Sequence, residues 1–308
     1  MTTRRTVAVT GCGGMLGEAV HARFVASGWR VIASDIDLNE PWLRRVDVTD
    51  AAAVARHMNA ARPDAIVHLA ALTDMEHCER HPAQAYDVNT WGVAHVTAAA
   101  AALGVPFVYI STAGIFDGRK KAYREEDQPN PLSVYGKSKY AGEIVARSYR
   151  RSIVIRAGWM MGGGPGKDKK FVNKIVKQLN AGTTTLAVVA DKLGTPCYTY
   201  DLARSIERLV VGRRYGVYHG ACRGGASRLE VARRLVASLG LDRHVAVRKV
   251  PSSHWKTEYF APRPASEQLL NRALARVDPG LTRDWRVCLD EYLAKFAWLA
   301  PALARKAR

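Results

Sequence analysis

The chain has 308 residues, 48% hydrophobic and 24% charged, a size and balance that suit a globular protein with a sizeable core and exclude low-complexity or fibrous architectures. The net charge of +18 attracts polyanions, but zinc-finger spacing and aromatic RNA-binding signatures are both missing, so no nucleic-acid partner is expected. No apolar run is long enough for a bilayer, and the opening MTTRRTVAVTG enters a strand-like run at once, so no membrane partner and a cytoplasmic location are expected.

In chain order, short β-rich runs alternate with helix-length segments. TVAVTG (6–11) precedes a helical stretch to about residue 27, followed by RVIASD (30–35) and the short RVDV (45–48). AIVHLAA (65–71), PFVYIST (106–112) and SIVIRAG (152–158) continue the strand series. AAAVARHMNAA and AQAYDVNTWGVAHVTAAAAALG, between them, have helical composition and length. This alternation predicts an α/β fold, a Rossmann-type doubly wound parallel sheet covered by helices on both faces. After Ala157 the pattern changes: GGGPGKDKK (162–170) leads into the amphipathic FVNKIVKQLNAG, GVYHGA (216–221) reads as a strand returning to the main sheet, and HVAVRKV (244–250) as another strand. The expected organisation is a dinucleotide-binding domain over 1–158, completed by about 189–222. A smaller, discontinuous C-terminal substrate-binding domain takes 159–188 and 223–308.

The first strand runs into TGCGGMLG, placing Gly11, Gly14 and Gly17 between a strand and a helix. Glycines there permit a tight turn and let backbone amides approach a pyrophosphate at the helix N-terminus. Asp35 ends the second strand, where a carboxylate accepts hydrogen bonds from an adenosine ribose and repels the additional phosphate of NADP. No arginine adjoins it in sequence, so NAD(H) is favoured, with NADP(H) as the alternative.

The segment SVYGKSKY places Tyr135 and Lys139 one helical turn apart on a common face. A cation beside a phenol favours the phenolate, so Lys139 is expected to lower the pKa of Tyr135 and ease proton exchange. Reduction of a carbonyl by hydride needs such a proton donor at the developing alkoxide. Ser111 and Thr112, at the end of a strand, offer a hydroxyl where open α/β sheets face their ligand crevice.

With these motifs in place, the sequence resembles the extended short-chain dehydrogenase/reductase family, most nearly its dTDP-4-dehydrorhamnose reductases and their sugar-nucleotide relatives. VTGCGGMLG is similar to the family's cofactor turn, which implies contacts from Gly11, Gly14, Met15, Leu16 and Gly17. VDVTD resembles the segment bordering the adenine, through Asp47 and Val48, and HLAALTDMEHCERHPAQAYDVN the one in which Ala70 and Ala71 pass the cofactor. ISTAGIFDG with YREEDQPNPLSVYGKSKYAGE is the most specific match. The resemblance implies that Tyr135 is the proton donor, Lys139 its modulator and a ribose ligand, and Thr112 the hydroxyl partner. It also implies that Trp159, in IRAGWMMGGG, lines the sugar site. Where the family usually carries an acidic residue after the Ser-Thr pair, this chain has Ala113 and Gly114, which argues against dehydration. Lys170 and Arg263 are candidates for the diphosphate of a nucleotide-sugar substrate.

The implied activity is NAD(P)H-dependent reduction of a keto group on a nucleotide-linked deoxysugar. The alternatives are a sugar-nucleotide epimerase with tightly held NAD and a non-catalytic NAD(P)-binding regulatory subunit. A homodimer is implied only at the level of the family. HCERH (77–81) lacks the fourth ligand of a closed zinc site, so no metal is expected, and His68 reads as a core residue. The five cysteines are scattered without a C-x-x-C pair and are expected to be reduced thiols.

Overall fold

A computed structural model describes residues 4–307. Its main sheet has seven strands: β1 (Thr6–Thr10), β2 (Arg30–Asp35), β3 (Arg44–Arg45), β4 (Ala65–His68), β5 (Phe107–Thr112), β6 (Ser152–Ala157) and β7 (Gly216–Gly220). They lie in the order β7-β6-β5-β4-β1-β2-β3, and every neighbouring pair is parallel. The order reverses between β1 and β4, and in a doubly wound sheet a crevice opens at that switch point.

The longer helices are α1 (Met15–Ala26), α2 (Ala51–Ala61), α3 (Gly92–Leu103), α4 (Val134–Arg147), α5 (Phe171–Asn180), α6 (Thr199–Val211), α7 (Arg228–Ser238) and α8 (Trp285–Lys295). Alternation along the strands divides the core. Val7 and Val9 of β1 pack with Phe24 of α1 and Ile206 of α6, while Ala8 joins Met58 of α2 and Val96 of α3 on the opposite face. Both faces are thus covered, which is why β1, β4 and β6 are buried along their whole length.

Of the expected 45–48 strand only Arg45 pairs with β2, together with Arg44 before it. Beyond it Asp47 turns the chain: its carboxylate accepts from the Thr49 amide and hydroxyl, and its carbonyl accepts from Asp50 N. The segment from 82 to 103 is helical but not uniform. A π-turn, Asp87–Trp91, interrupts it before α3, and turns of this type recur at functional sites.

A second hydrophobic cluster joins Val172, Ile175 and Leu179 of α5 to Leu235 of α7 and Leu289 and Tyr292 of α8. Two strands, Thr185–Val189 and Ala246–Val250, pair parallel beside it. A three-stranded sheet carries Leu193–Gly194 at its centre, antiparallel to Ala226–Ser227 and parallel to Ser266–Glu267. Ser227 then starts α7 with a capping box: its hydroxyl accepts from Glu230 N, and the Glu230 carboxylate accepts from Ser227 N. All five cysteines are buried free thiols. No helix among the described residues is long and apolar enough to cross a membrane.

Candidate active site

The crevice begins at the turn after β1. Gly11 has φ +70°, and a Cβ on it would stand 2.2 Å from the Ala70 nitrogen, so only glycine fits where the turn meets the segment leaving β4. A Cβ on Gly17 would lie 2.0 Å from the Cys12 carbonyl oxygen, so this position draws α1 tightly against the turn. Gly14 is the N-cap of α1 and provides no side-chain cap, which leaves the first amides of the helix to an anionic group. Met15 and Leu16 anchor that first turn in the core. These features fit the pyrophosphate of a dinucleotide.

Asp35 stands at the end of β2, where Oδ2 accepts from Gly13 N at 2.8 Å and Oδ1 from Asp37 N at 3.1 Å. Although no arginine adjoins it in sequence, Arg45 lies directly opposite on β3. Asp47 holds its own turn, and Val48 is buried against Gly92, its carbonyl 2.9 Å from His95 Nδ1. Ala70 and Ala71 leave β4 half-buried beside the glycine turn. His68, which ends β4 two residues before Ala70, is a core residue: Thr10 Oγ1 lies 2.7 Å from its Nδ1, and burial pushes its pKa down to about 3, leaving a neutral ring.

The reacting pair is assembled from β5 and α4. Ser111 and Thr112 point to opposite sides, as successive strand residues must. Ser111 donates to Glu143 Oε2 at 2.7 Å inside the core, where Glu143 also meets Arg156 at 2.7 Å. Thr112 is left to the crevice, its Oγ1 accepting from Gly114 N at 3.1 Å. The helix carrying Tyr135 and Lys139 starts at Ser133, whose hydroxyl accepts from Gly136 N, and Glu79 Oε1 accepts from Val134 N at 2.7 Å. Asn89, within the π-turn, accepts from Leu72 N and donates to Ser138 Oγ, tying the loop after β4 to this helix. A Cβ on Gly136 would be 2.4 Å from the Gly114 carbonyl oxygen, so glycine is required where α4 meets the loop after β5.

Tyr135 is brought against Thr112, but its titration runs opposite to the expected acidification. Burial is the largest cause and lifts the phenol to about 12; the Thr112 hydroxyl opposes this, and Glu267 and Cys78 add to it. Burial likewise depresses Lys139 to about 7, partly offset by Glu143. Only 3% of the lysine is exposed, and its ammonium lies 4.4 Å from the Tyr109 ring centre. Desolvation disfavours the charged form of each group. The phenol is protonated at neutral pH, as any tyrosine near its ordinary value of ~10 is, and burial makes it a weaker acid than the spacing predicts.

Trp159 closes the far side. Its indole Nε1 donates to Glu267 Oε2 at 2.6 Å, and the Arg228 guanidinium carbon stands 3.7 Å from the ring centre. Lys170 Nζ donates to Thr73 Oγ1 at 3.1 Å, and burial lowers its pKa. Arg263 is held by Glu76 in a fork, at 2.8 Å and 3.1 Å. Thus the HCERH helix (Met75–Arg80) and the residues beside it brace the site, through Glu76 and Glu79. Sequence reasoning missed Glu79, Asn89, Arg228 and Glu267, whose roles depend on contacts between distant segments.

The family model described as RmlD substrate binding domain matches residues 5–298. This chain belongs to that family. It is therefore an extended short-chain dehydrogenase/reductase, and its Rossmann-type sheet is the fold of the family. It is 35% identical to the dTDP-4-dehydrorhamnose reductase of Mycobacterium tuberculosis, over 93% of this chain and 91% of that protein. It is 29% identical to methionine adenosyltransferase 2 subunit beta of Danio rerio, over 87% of this chain and 83% of that one. Among solved structures, dTDP-4-dehydrorhamnose reductase from Bacillus anthracis in complex with NADP superposes with a TM-score of 0.86 and 26% identity, covering 96% of this chain and all of that one.

Proposed function

We propose that the protein is an NAD(P)H-dependent reductase of a keto group on a nucleotide-linked deoxysugar. One observation carries the reading: the Tyr135 phenol stands against the strand-end hydroxyl of Thr112, at the same sheet edge as an uncapped glycine turn. The nicotinamide, when bound, supplies hydride to the carbonyl carbon. Thr112 and Tyr135 hold the carbonyl oxygen, and Tyr135 gives it a proton as negative charge develops there. Lys139, with a pKa near 7, is available beneath the phenol to share a proton with it after transfer. Trp159 provides one wall for the sugar, and Lys170 and Arg263 flank the diphosphate. Residues 1–158, completed by about 196–222, serve the dinucleotide, and 159–195 with 223–308 the sugar; the boundary expected near 189 moves because Leu193–Gly194 pairs with Ala226–Ser227 and Ser266–Glu267.

The test is to mix the protein with nucleotide-linked ketosugars and either NADH or NADPH and follow absorbance of the reduced cofactor. Stoichiometric oxidation is expected. Binding of NADH without oxidation by any ketosugar would instead favour the regulatory-subunit reading.

For the cofactor, the carboxylate of Asp35 supports NAD(H) as the preferred form. Asp35→Ala is expected to shift preference toward NADPH, because Arg45 on the facing strand then meets the 2′-phosphate without a competing negative charge. The ratio of kcat/KM for the two cofactors measures this, and an unchanged ratio would remove the assignment.

A further inference from the structure

Three short strands bring together side chains that the proton-transfer scheme does not use. Gly194 has no side chain, and the Trp159 ring takes that space: a Cβ there would lie 2.2 Å from Cε2. The guanidinium of Arg228, the first residue of α7, stands 3.7 Å from the centre of the same ring. Glu267, paired with Gly194 across the strands, fixes the edge by accepting the indole N–H on Oε2. Its other oxygen, Oε1, accepts no hydrogen bond among the described residues. A Cβ placed on Gly114 would be 3.4 Å from Thr112 Oγ1, 3.7 Å from Glu267 Oε1 and 3.7 Å from Tyr135 Cε1. A free carboxylate oxygen and both side chains of the reacting pair therefore border one carbon-sized space, which the missing side chain of residue 114 leaves open.

We propose that Glu267 is a substrate-binding residue that accepts a hydrogen bond from a hydroxyl on the sugar carbon next to the ketone, and so selects ketosugars bearing that hydroxyl. This rests on the reductase reading above. With the carbonyl oxygen held by Thr112 and Tyr135, a ring substituent one carbon away is the group that falls beside Oε1. The anion is held by the indole N–H and lies in the field of Arg228, so it is preset rather than recruited on binding.

The test compares wild type, Glu267→Gln and Glu267→Ala on a nucleotide-linked ketosugar and on its analogue deoxygenated at the carbon beside the ketone. Glutamine keeps an oxygen that can accept the indole N–H, which guards against collapse of the Trp159 wall. For wild type, kcat/KM is expected to favour the hydroxylated substrate by roughly 10- to 100-fold, the range of a hydrogen bond to a charged group. In Glu267→Ala that discrimination disappears, because only the hydroxylated substrate loses a partner; Glu267→Gln falls between. NADH affinity stays the same in all three. If both variants discriminate as wild type does, or lose activity equally on both substrates, the assignment is overturned while the reductase reading stands. If wild type reduces no nucleotide-linked ketosugar, both fall.

Discussion

Tyr135→Phe is expected to lower kcat by about 10²–10⁴-fold, the range of a positioned general acid, with little change in NADH affinity. The substitution removes one hydroxyl from a half-buried ring and leaves the glycine turn and Asp35 untouched, so binding and chemistry separate. Single-turnover oxidation of bound NADH measures the chemistry, and fluorescence titration the binding. The phenol is in its donating form at neutral pH even at the ordinary tyrosine value of ~10, and burial, which lifts it to about 12, makes it a weaker acid. A variant that retained wild-type turnover would mean that the proton comes from elsewhere.

Glu143→Ala is expected to have the largest effect on stability. Glu143 is fully buried and meets Arg156, of which 1% is exposed, through paired hydrogen bonds, while Ser111 donates to the same carboxylate. Removing it strands a guanidinium in the interior, which costs on the order of 3–5 kcal/mol. For a chain of this size that corresponds to a Tm lower by roughly 5–8 °C, read by thermal unfolding. The carboxylate also fastens α4, and with it Tyr135 and Lys139, to β5 and β6, so kcat is expected to fall in the same variant. A Tm shift below about 2 °C would show that the ion pair contributes little.

How much of this was legible beforehand depended on the kind of residue. The glycine turn and the Tyr135–Lys139 spacing could be read because each lies within one element, where covalent geometry sets the distances. The strand series could be read from its alternation with helical segments, although the 45–48 strand stops early because the Asp47 side chain captures its own backbone. The direction of the Tyr135 shift could not be read: spacing reveals the neighbouring ammonium but not how little water surrounds the pair. Spacing alone left Ser111 and Thr112 equivalent as hydroxyls and only the resemblance chose Thr112; the pleat places Ser111 in the core and Thr112 in the crevice. Glu267 and Arg228 had no local pattern to mark them, since both meet Trp159 only through the pairing of three short, distant strands.

That same arrangement divides the labour of the crevice along the chain. In the proposed reaction the groups that handle the proton lie between positions 112 and 139, whereas the wall proposed to face the sugar is drawn from positions 159, 194, 228 and 267. Substitutions in the later segments can therefore retune which carbohydrate is admitted while the earlier ones keep the same chemistry, so one scaffold is open to diversification of its substrate without reinvention of its reaction.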